Sequence, residues 1–189
     1  ICFVYFEGTK LQMPNQIIIV GSGNAGMSAA IAALEKGASV LILEKAEEPL
    51  SGGNTKYTAG AMRFCFDGMD SIKRLLRKPD DERLRRTDFG SYPASKFAKD
   101  LENFNAGRPL SEEQKILISQ SYDAVCWLSD HGIKFDPIFE RQSFLKNGRF
   151  VFWGGLAVAT ADEGVGLFDQ QMKTFNRLGG KIEYGQNVT

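Results

Sequence analysis

The first chemical signal in the chain is a glycine-rich turn, G-S-G-N-A-G, at residues 21–26. It follows a β-branched run at residues 17–20 and opens a stretch in which apolar residues recur at helical spacing. In such a unit Gly21 permits a tight turn, Gly23 lets the backbone approach a pyrophosphate, and Gly26 lets helix and strand pack closely. The unpaired N–H groups at the helix N-terminus favour an anion.

An acid follows the second predicted strand, which covers Val40 to Leu43. Glu44 ends this strand about 20 residues after the turn, where the dinucleotide fingerprint places an acid on a ribose hydroxyl. We therefore predict a bound dinucleotide, with Asn24, Ala25 and Lys45 as further contacts. An ordinary glycine-rich turn is the alternative. The pattern does not separate NAD from FAD, because both carry a pyrophosphate and an adenosine ribose.

Residues 50–63, just after the second strand, are rich in glycine and hydroxyl groups. Without context they read equally well as a polar loop. The segment resembles the GGNTK…AGGM element of FAD-dependent flavoproteins of the fumarate reductase type, which include succinate dehydrogenase flavoprotein subunits and 3-ketosteroid dehydrogenases. The matching residues, which by this resemblance line the pyrophosphate and the flavin, are Gly52, Gly53, Asn54, Thr55, Ala59 and Gly60. The resemblance implies FAD.

Within that family the chain is most similar to the tricarballylate dehydrogenase group. The shared stretches are YTAGAMRF, RTDFGSY, WLSDHGIKF and WGGLA. Two residues depart from the fumarate reductase pattern, and both departures favour the tricarballylate dehydrogenase group. Ala61 replaces the second glycine of AGG, and Arg63 stands where the fumarate reductase branch usually has Asn. The resemblance implies an FAD-dependent dehydrogenase that transfers hydride through flavin N5 and acts on a carboxylate such as tricarballylate, fumarate or succinate.

The expected fold class is α/β, a Rossmann-like FAD-binding domain with a three-layer parallel sheet and a mainly helical insertion at about residues 70–150. Residues 1–14 are predicted to be a disordered extension and residues 15–189 a partial FAD-binding domain. Periodicity predicts helices over 70–78, from Phe97 to Phe104, after a capping box at Ser111–Gln114, and through 167–178. A strand is predicted over 181–184, and by the resemblance Val188 lies next to the adenine.

The resemblance covers about the first two-fifths of a flavoprotein and stops before the capping domain that carries the substrate and proton-donating residues. We therefore expect the isolated chain to be inactive. The alternative is a stand-alone or degenerate dinucleotide-binding module without redox activity. An NAD-dependent Rossmann reductase is a third interpretation.

No catalytic residue is assigned from the sequence. His131 is predicted at the end of a helix, where a structural role is favoured. Arg63 is either a contact for an anionic substrate or a salt-bridged loop arginine. In quinone-linked relatives a histidine binds the flavin covalently, and by the resemblance its position falls at Asn54. Asparagine has no nucleophilic nitrogen, so we predict non-covalent FAD.

The composition limits the partners. Lys plus Arg and Asp plus Glu number 23 each, so no bulk positive field favours nucleic acid. Three cysteines without C-x-x-C spacing argue against a metal site and fit a reducing compartment. No apolar run approaches the roughly 20 residues of a membrane span. We expect a cytoplasmic protein with a small-molecule substrate. An electron-transfer partner protein is also considered, and binding to it would place the protein at the surface of a membrane.

Overall fold

The computed structural model describes residues 16–189, so the extension predicted at residues 1–14 lies outside the described residues. The chain divides into two compact units. The first unit holds the described chain up to Thr58 together with Asp162–Thr189, and the second unit is Ala59–Ala161. The predicted insertion falls inside the second unit.

The secondary structure of the described residues consists of strands, α-helices and three short 3-10 turns. The strands are β1 Gln16–Val20, β2 Ser39–Leu43, β3 Ala61–Met62, β4 Phe66–Asp67, β5 Thr87–Asp88, β6 Ser91–Tyr92, β7 Phe135–Pro137, β8 Ser143–Lys146, β9 Arg149–Phe152, β10 Val158–Thr160 and β11 Lys181–Glu183. The α-helices are α1 Asn24–Glu35, α2 Gly68–Lys73, α3 Ala94–Phe104, α4 Glu112–Asp130, α5 Phe139–Gln142 and α6 Glu163–Arg177. The 3-10 turns are Glu48–Leu50, Gly53–Tyr57 and Glu82–Arg86.

The first unit is built on a parallel sheet in the order β1-β2-β11. β1 pairs with β2 from Gln16↔Ser39 to Val20↔Leu43, and β2 pairs with β11 up to Leu43↔Glu183. Because the strands are parallel, their carboxyl ends lie at one edge of the sheet. The predicted α/β fold with a parallel sheet is confirmed.

Helix α1 packs its apolar side onto this sheet. Met27, Ala30 and Ile31 are fully buried with Ile42 of β2. Gly37, which follows the helix, has φ +79°, the left-handed conformation that glycine adopts most readily and that commonly ends a helix. Among the core residues of the first unit are also Leu167, Phe168 and Phe175 of α6.

The second unit combines helices with three small sheets, in the orders β3-β10-β7, β4-β6 and β5-β9-β8. Its core includes Phe64, Tyr92 and Phe135, which are fully buried. Helix α4 begins with the predicted capping box: the Ser111 hydroxyl accepts from the Gln114 N–H, and the Gln114 side chain accepts from the Ser111 N–H.

One local prediction differs from the structure. The helix expected over residues 70–78 ends at Lys73, because Leu76 bridges to Phe135 and the Arg77 N–H donates to the Phe135 carbonyl at 2.8 Å. Pairing with a distant segment overrides the local helical pattern here. The charged connection that follows forms a 3-10 turn in which Leu84 is buried.

None of the helices within residues 16–189 is long and apolar enough to cross a membrane.

Candidate cofactor site

The glycine-rich turn joins β1 to α1 at the carboxyl edge of the parallel sheet. Gly21 has φ +88° and its N–H donates to the Leu43 carbonyl at 2.9 Å, which ties the turn to the end of β2. Helix α1 begins at Asn24, with Gly23 as its N-cap. The positive end of the helix dipole therefore lies at the turn, which is where parallel α/β sheets bind their ligands.

The three glycines of the turn are required for different reasons. A side chain on Gly26 would overlap the Gly21 carbonyl, so the fold itself needs glycine there. Gly21 needs its left-handed backbone. Gly23 has an ordinary φ of −68°, and a Cβ on it would make only normal contacts, 3.6 Å from Thr55 Oγ1 and 3.8 Å from the Gly52 carbonyl. The packing of the described residues does not explain Gly23, whereas close approach of a ligand to its backbone would.

Glu44 follows β2 at the same edge, and its carboxylate is buried and held by donors from the chain. Oε2 accepts from the Ser22 N–H at 2.7 Å and from the Ser22 hydroxyl at 2.5 Å, and Oε1 accepts from the Ala46 N–H at 2.8 Å. A carboxylate offers about four acceptor directions, so Oε1 can still accept from a ribose hydroxyl.

The electrostatics of Glu44 favour the charged form. Burial raises its pKa, but the hydrogen bonds from the Ser22 hydroxyl and from the N–H groups of Ala46 and Ser22 outweigh burial and hold the pKa below its usual range. At neutral pH Glu44 is therefore a carboxylate that accepts hydrogen bonds only.

Ser22 links the turn to the loop that resembles the flavin-binding element. Its buried hydroxyl donates to Glu44 and accepts from the Gly52 N–H at 3.0 Å. One side chain thus connects the turn, the acid and the loop. Ser22 is not among the contact residues predicted from the sequence, although a hydroxyl between the first two glycines of the turn is a signal that could have indicated it.

The loop folds into the 3-10 turn Gly53–Tyr57 beside the start of α1. The Asn24 N–H donates to Thr55 Oγ1 at 2.9 Å, and Gly52 adopts φ +101°. Asn54 is exposed. Gly52 and Thr55 are thereby held against the glycine-rich turn, although 29 residues separate Gly23 from Gly52 along the chain.

The other predicted contacts lie at two separate places. The Gln186 N–H donates to the Glu44 carbonyl at 2.9 Å, and Val188 follows two residues later, so the end of the chain runs beside the acid. Lys45 is exposed and Ala25 lies in the first turn of α1. The predicted contacts Ala59 and Gly60 belong to the second unit, just before β3.

Two further residues considered in the sequence have partners within the second unit. Arg63 donates to the Tyr92 hydroxyl at 2.9 Å and is paired with Asp100 at 3.5 Å. His131 is the C-cap of α4, where its Nδ1 lies 2.6 Å from the Trp127 carbonyl and its ring packs on the Trp127 ring. The structure thus gives both side chains contacts that support the fold.

These residues fit a dinucleotide better than a metal ion. The described residues contain no group of three His, Cys, Asp or Glu side chains that could hold a metal. The carboxyl edge of the sheet instead offers a helix N-terminus, an open glycine backbone at Gly23 and an ionised acceptor at Glu44. The first two suit a pyrophosphate and the third suits a ribose.

Comparison with known proteins identifies the dinucleotide. The model of the family described as FAD binding domain matches residues 16–164, most of the chain. NADH:acrylate oxidoreductase of Vibrio harveyi is 54% identical, in an alignment that covers 95% of this chain and 21% of that protein. Fumarate reductase (cytochrome) of Shewanella frigidimarina is 34% identical over 116 residues, covering 61% of this chain and 17% of that protein.

Among solved structures, the 3-ketosteroid-delta4-(5alpha)-dehydrogenase of Rhodococcus jostii RHA1 shares the fold with a TM-score of 0.61 and 20% identity, over 94% of this chain and 39% of that one. The chain spans about a fifth of the length of the curated relatives named above.

The resemblance to flavoproteins of the fumarate reductase type is confirmed by these matches, as is FAD as the dinucleotide. The predicted class, FAD-dependent oxidoreductases, is confirmed as the class of these relatives. The tricarballylate dehydrogenase subgroup and the individual contact residues stay predictions. On the match to residues 16–164, the chain belongs to the FAD binding domain family.

Proposed function

We propose that this chain is the cofactor-binding part of a flavin-dependent oxidoreductase that moves hydrogen across a carbon–carbon bond of a small carboxylate. The observation that carries the proposal is the 54% identity with NADH:acrylate oxidoreductase over 95% of the chain. Acrylate and fumarate, which the names of two relatives contain, are both short unsaturated carboxylates. Tricarballylate, the substrate suggested by the resemblance, is a saturated carboxylate for which the reaction would run as a dehydrogenation.

In this proposal each segment of the first unit has one task. The N–H groups at the start of α1 bind the pyrophosphate, with the backbone of Gly23 close to it. Glu44 accepts from the adenosine ribose, and Val188 lies by the adenine. The loop from Gly52 to Thr55 lines the flavin. FAD, when bound, supplies a hydride donor and acceptor at flavin N5.

The surroundings proposed for the reaction are a reducing compartment, the cytoplasm, and a source of electrons. Cysteine usage without C-x-x-C pairs supports the compartment. Electrons would come from NADH or from an electron-transfer partner protein, and an artificial dye replaces either in an assay. Reduction of an unsaturated carboxylate consumes one hydride and one proton, and we assign no residue of this chain as the proton donor.

The test is anaerobic flavin spectroscopy on the protein at its full natural length. The FAD is reduced chemically, and acrylate, fumarate or crotonate is then added while flavin absorbance is followed. Tricarballylate and succinate are added separately to the oxidised protein. Propionate, the saturated product expected from acrylate, is the control for reoxidation.

We expect one of the unsaturated carboxylates to reoxidise the flavin, or tricarballylate or succinate to reduce it, at a rate that rises with concentration until it saturates. Propionate should leave the reduced flavin unchanged. A protein that binds FAD but exchanges electrons with none of these compounds would overturn the proposed substrate class. Failure to exchange electrons with any dye as well would favour a dinucleotide-binding module without redox activity.

A further inference from the structure

A buried glutamine on α6 contacts the first residue of α1. Gln171 is fully buried, in a helix whose other inward residues include Leu167 and Phe175. Its Nε2 donates to Asn24 Oδ1 at 2.8 Å and to the Ser28 hydroxyl at 3.1 Å. Gln171 and Asn24 are 147 residues apart along the chain. A polar side chain of α6 thus connects directly to the turn that we assign to the pyrophosphate.

The hydrogen bonds fix which end of the Asn24 amide is held. Gln171 Nε2 and, at 3.4 Å, the Ser28 hydroxyl both donate to Asn24 Oδ1. The oxygen is therefore engaged with α6 and with the next turn of α1, and the amide nitrogen Nδ2 is the end left to donate elsewhere. At a helix N-terminus a donor complements a phosphate, whereas an acceptor repels it.

Gln171 is poorly explained by stability alone. Its Oε1 is buried and has no hydrogen-bond partner within the described residues. A buried polar atom without a partner destabilises the folded state, and an apolar side chain of similar length would avoid that cost. The glutamine supplies something that packing does not require, namely the two donors of Nε2.

We propose that Gln171 is a positioning residue of the FAD site: it holds Asn24 Oδ1 so that the amide nitrogen of Asn24 donates to the pyrophosphate. The inference rests on the proposed placement of the pyrophosphate at the turn around Gly23. Gln171 acts through Asn24 and does not itself touch the cofactor. Helix α6 thereby contributes to cofactor affinity.

The test uses the protein at its full natural length, stripped of flavin. FAD affinity is measured by fluorescence titration, and stability by thermal unfolding of the apoprotein. The variant is Gln171→Met and the matched control is Gln170→Met, since Gln170 is the adjacent residue and its Nε2 bonds to the Gly166 carbonyl of the same helix. Asn24→Ala and the double variant with Gln171→Met complete a mutant cycle.

We expect Gln171→Met to weaken FAD binding by about tenfold, the loss typical of one hydrogen bond to a charged group, while apoprotein stability is unchanged or higher. Gln170→Met should bind FAD normally. In the Asn24→Ala background Gln171→Met should have no further effect on affinity. An effect that persists in that background, or one that follows a matching loss of apoprotein stability, would show a structural role and overturn the proposal.

Asn24→Asp tests the same step if Gln171→Met does not fold. This substitution removes the amide donor and adds negative charge, and it changes no residue of α6. It should therefore weaken FAD binding at least as much as Gln171→Met is expected to. Unchanged affinity would contradict the proposal. Gly23→Ala separates the two levels: if it too leaves FAD binding unchanged, the placement of the pyrophosphate fails, whereas weakened binding there with normal binding in the Gln171 and Asn24 variants refutes only the role of Gln171.

Discussion

Single residues at the carboxyl edge of the sheet decide what the site can bind. Hydrogen-bond donors from Ser22 and Ala46 hold Glu44 as a carboxylate. The Ser22 hydroxyl also accepts a hydrogen bond from the Gly52 N–H. These bonds are formed within the chain, so the acid is oriented before any ligand arrives. An acceptor fixed in this way loses little conformational entropy when a ribose hydroxyl donates to it.

The lowered pKa of Glu44 leads us to predict that its contribution to the stability of the fold is lost in acid. Its pKa in the folded chain is below the ordinary value of 4.5, so the ionised form stabilises the fold fully above about pH 4.5. That stabilisation is lost as the pH falls further, through the lowered pKa. The measurement is the free energy of unfolding against pH for the parent and for Glu44→Gln.

Other carboxylates titrate in the same range, so the prediction concerns the difference between the two proteins. The parent should be the more stable at neutral pH, and its advantage should shrink steadily as the pH drops below about 4.5. An advantage that stays constant down to pH 3 would show that the hydrogen bonds to Glu44 do not favour the charged form.

The asparagine at position 54 leads us to predict that denaturation releases the flavin. It stands exposed in the 3-10 turn, at the position where the resemblance places the histidine of covalent flavoproteins. An amide cannot form that bond, so retention depends on many contacts of about 1 kcal/mol each. Acid precipitation of the flavin-loaded protein should leave the yellow colour in the supernatant. Flavin fluorescence that stays with the precipitated chain would contradict this.

Among the secondary-structure elements, α6 holds the segments of the site together. Its Gln171 reaches α1, and the N–H of Gly164, near its start, donates to the Thr58 carbonyl at 3.0 Å. A side chain on Gly164 would overlap the Thr55 carbonyl and crowd Thr58. The loop that includes Thr55 therefore depends on the absence of a side chain at one position of α6.

Gly164→Ala should disturb the loop and the fold together. Overpacking of this kind costs about 1–3 kcal/mol, because the backbone must move to make room. We expect a lower midpoint of thermal unfolding and weaker FAD binding. Val165→Ala, at the exposed neighbouring position, is the control and should change neither. Normal stability in Gly164→Ala would mean that the helix and the loop can separate without cost.

The elements themselves were largely predictable, because their signals are local. The turn at Gly21, the helix end at Gly37 and the capping box at Ser111 each depend on residues within a few positions. Two other contacts join distant parts of the chain, so no local pattern predicts them. They are the β-bridge between Leu76 and Phe135 and the hydrogen bond from Gln171 to Asn24. Ser22 is an intermediate case. Its hydroxyl can be noticed in the sequence, but only the fold shows that its partners are Glu44 and Gly52.

At the level of the whole molecule, the first unit gathers the segments of the candidate site at one edge of its sheet. The parallel sheet brings the ends of β1 and β2 to one edge, and α6 returns after the second unit to brace the turn and the loop. The glycines of the turn show the division between fold and function most clearly. Gly26 is required by the packing of the chain, whereas no contact among residues 16–189 requires glycine at position 23.

Alanine placed at each of these two glycines separates a role in cofactor binding from a role in folding. FAD affinity and apoprotein stability are measured for Gly23→Ala, Gly26→Ala and the control Ala32→Ser, at an exposed position of the same helix. We expect Gly23→Ala to weaken FAD binding at least about tenfold with apoprotein stability unchanged, and Gly26→Ala to cost about 1–3 kcal/mol of stability. Gly23→Ala protein that binds FAD as tightly as the parent would show that the pyrophosphate does not lie against the Gly23 backbone.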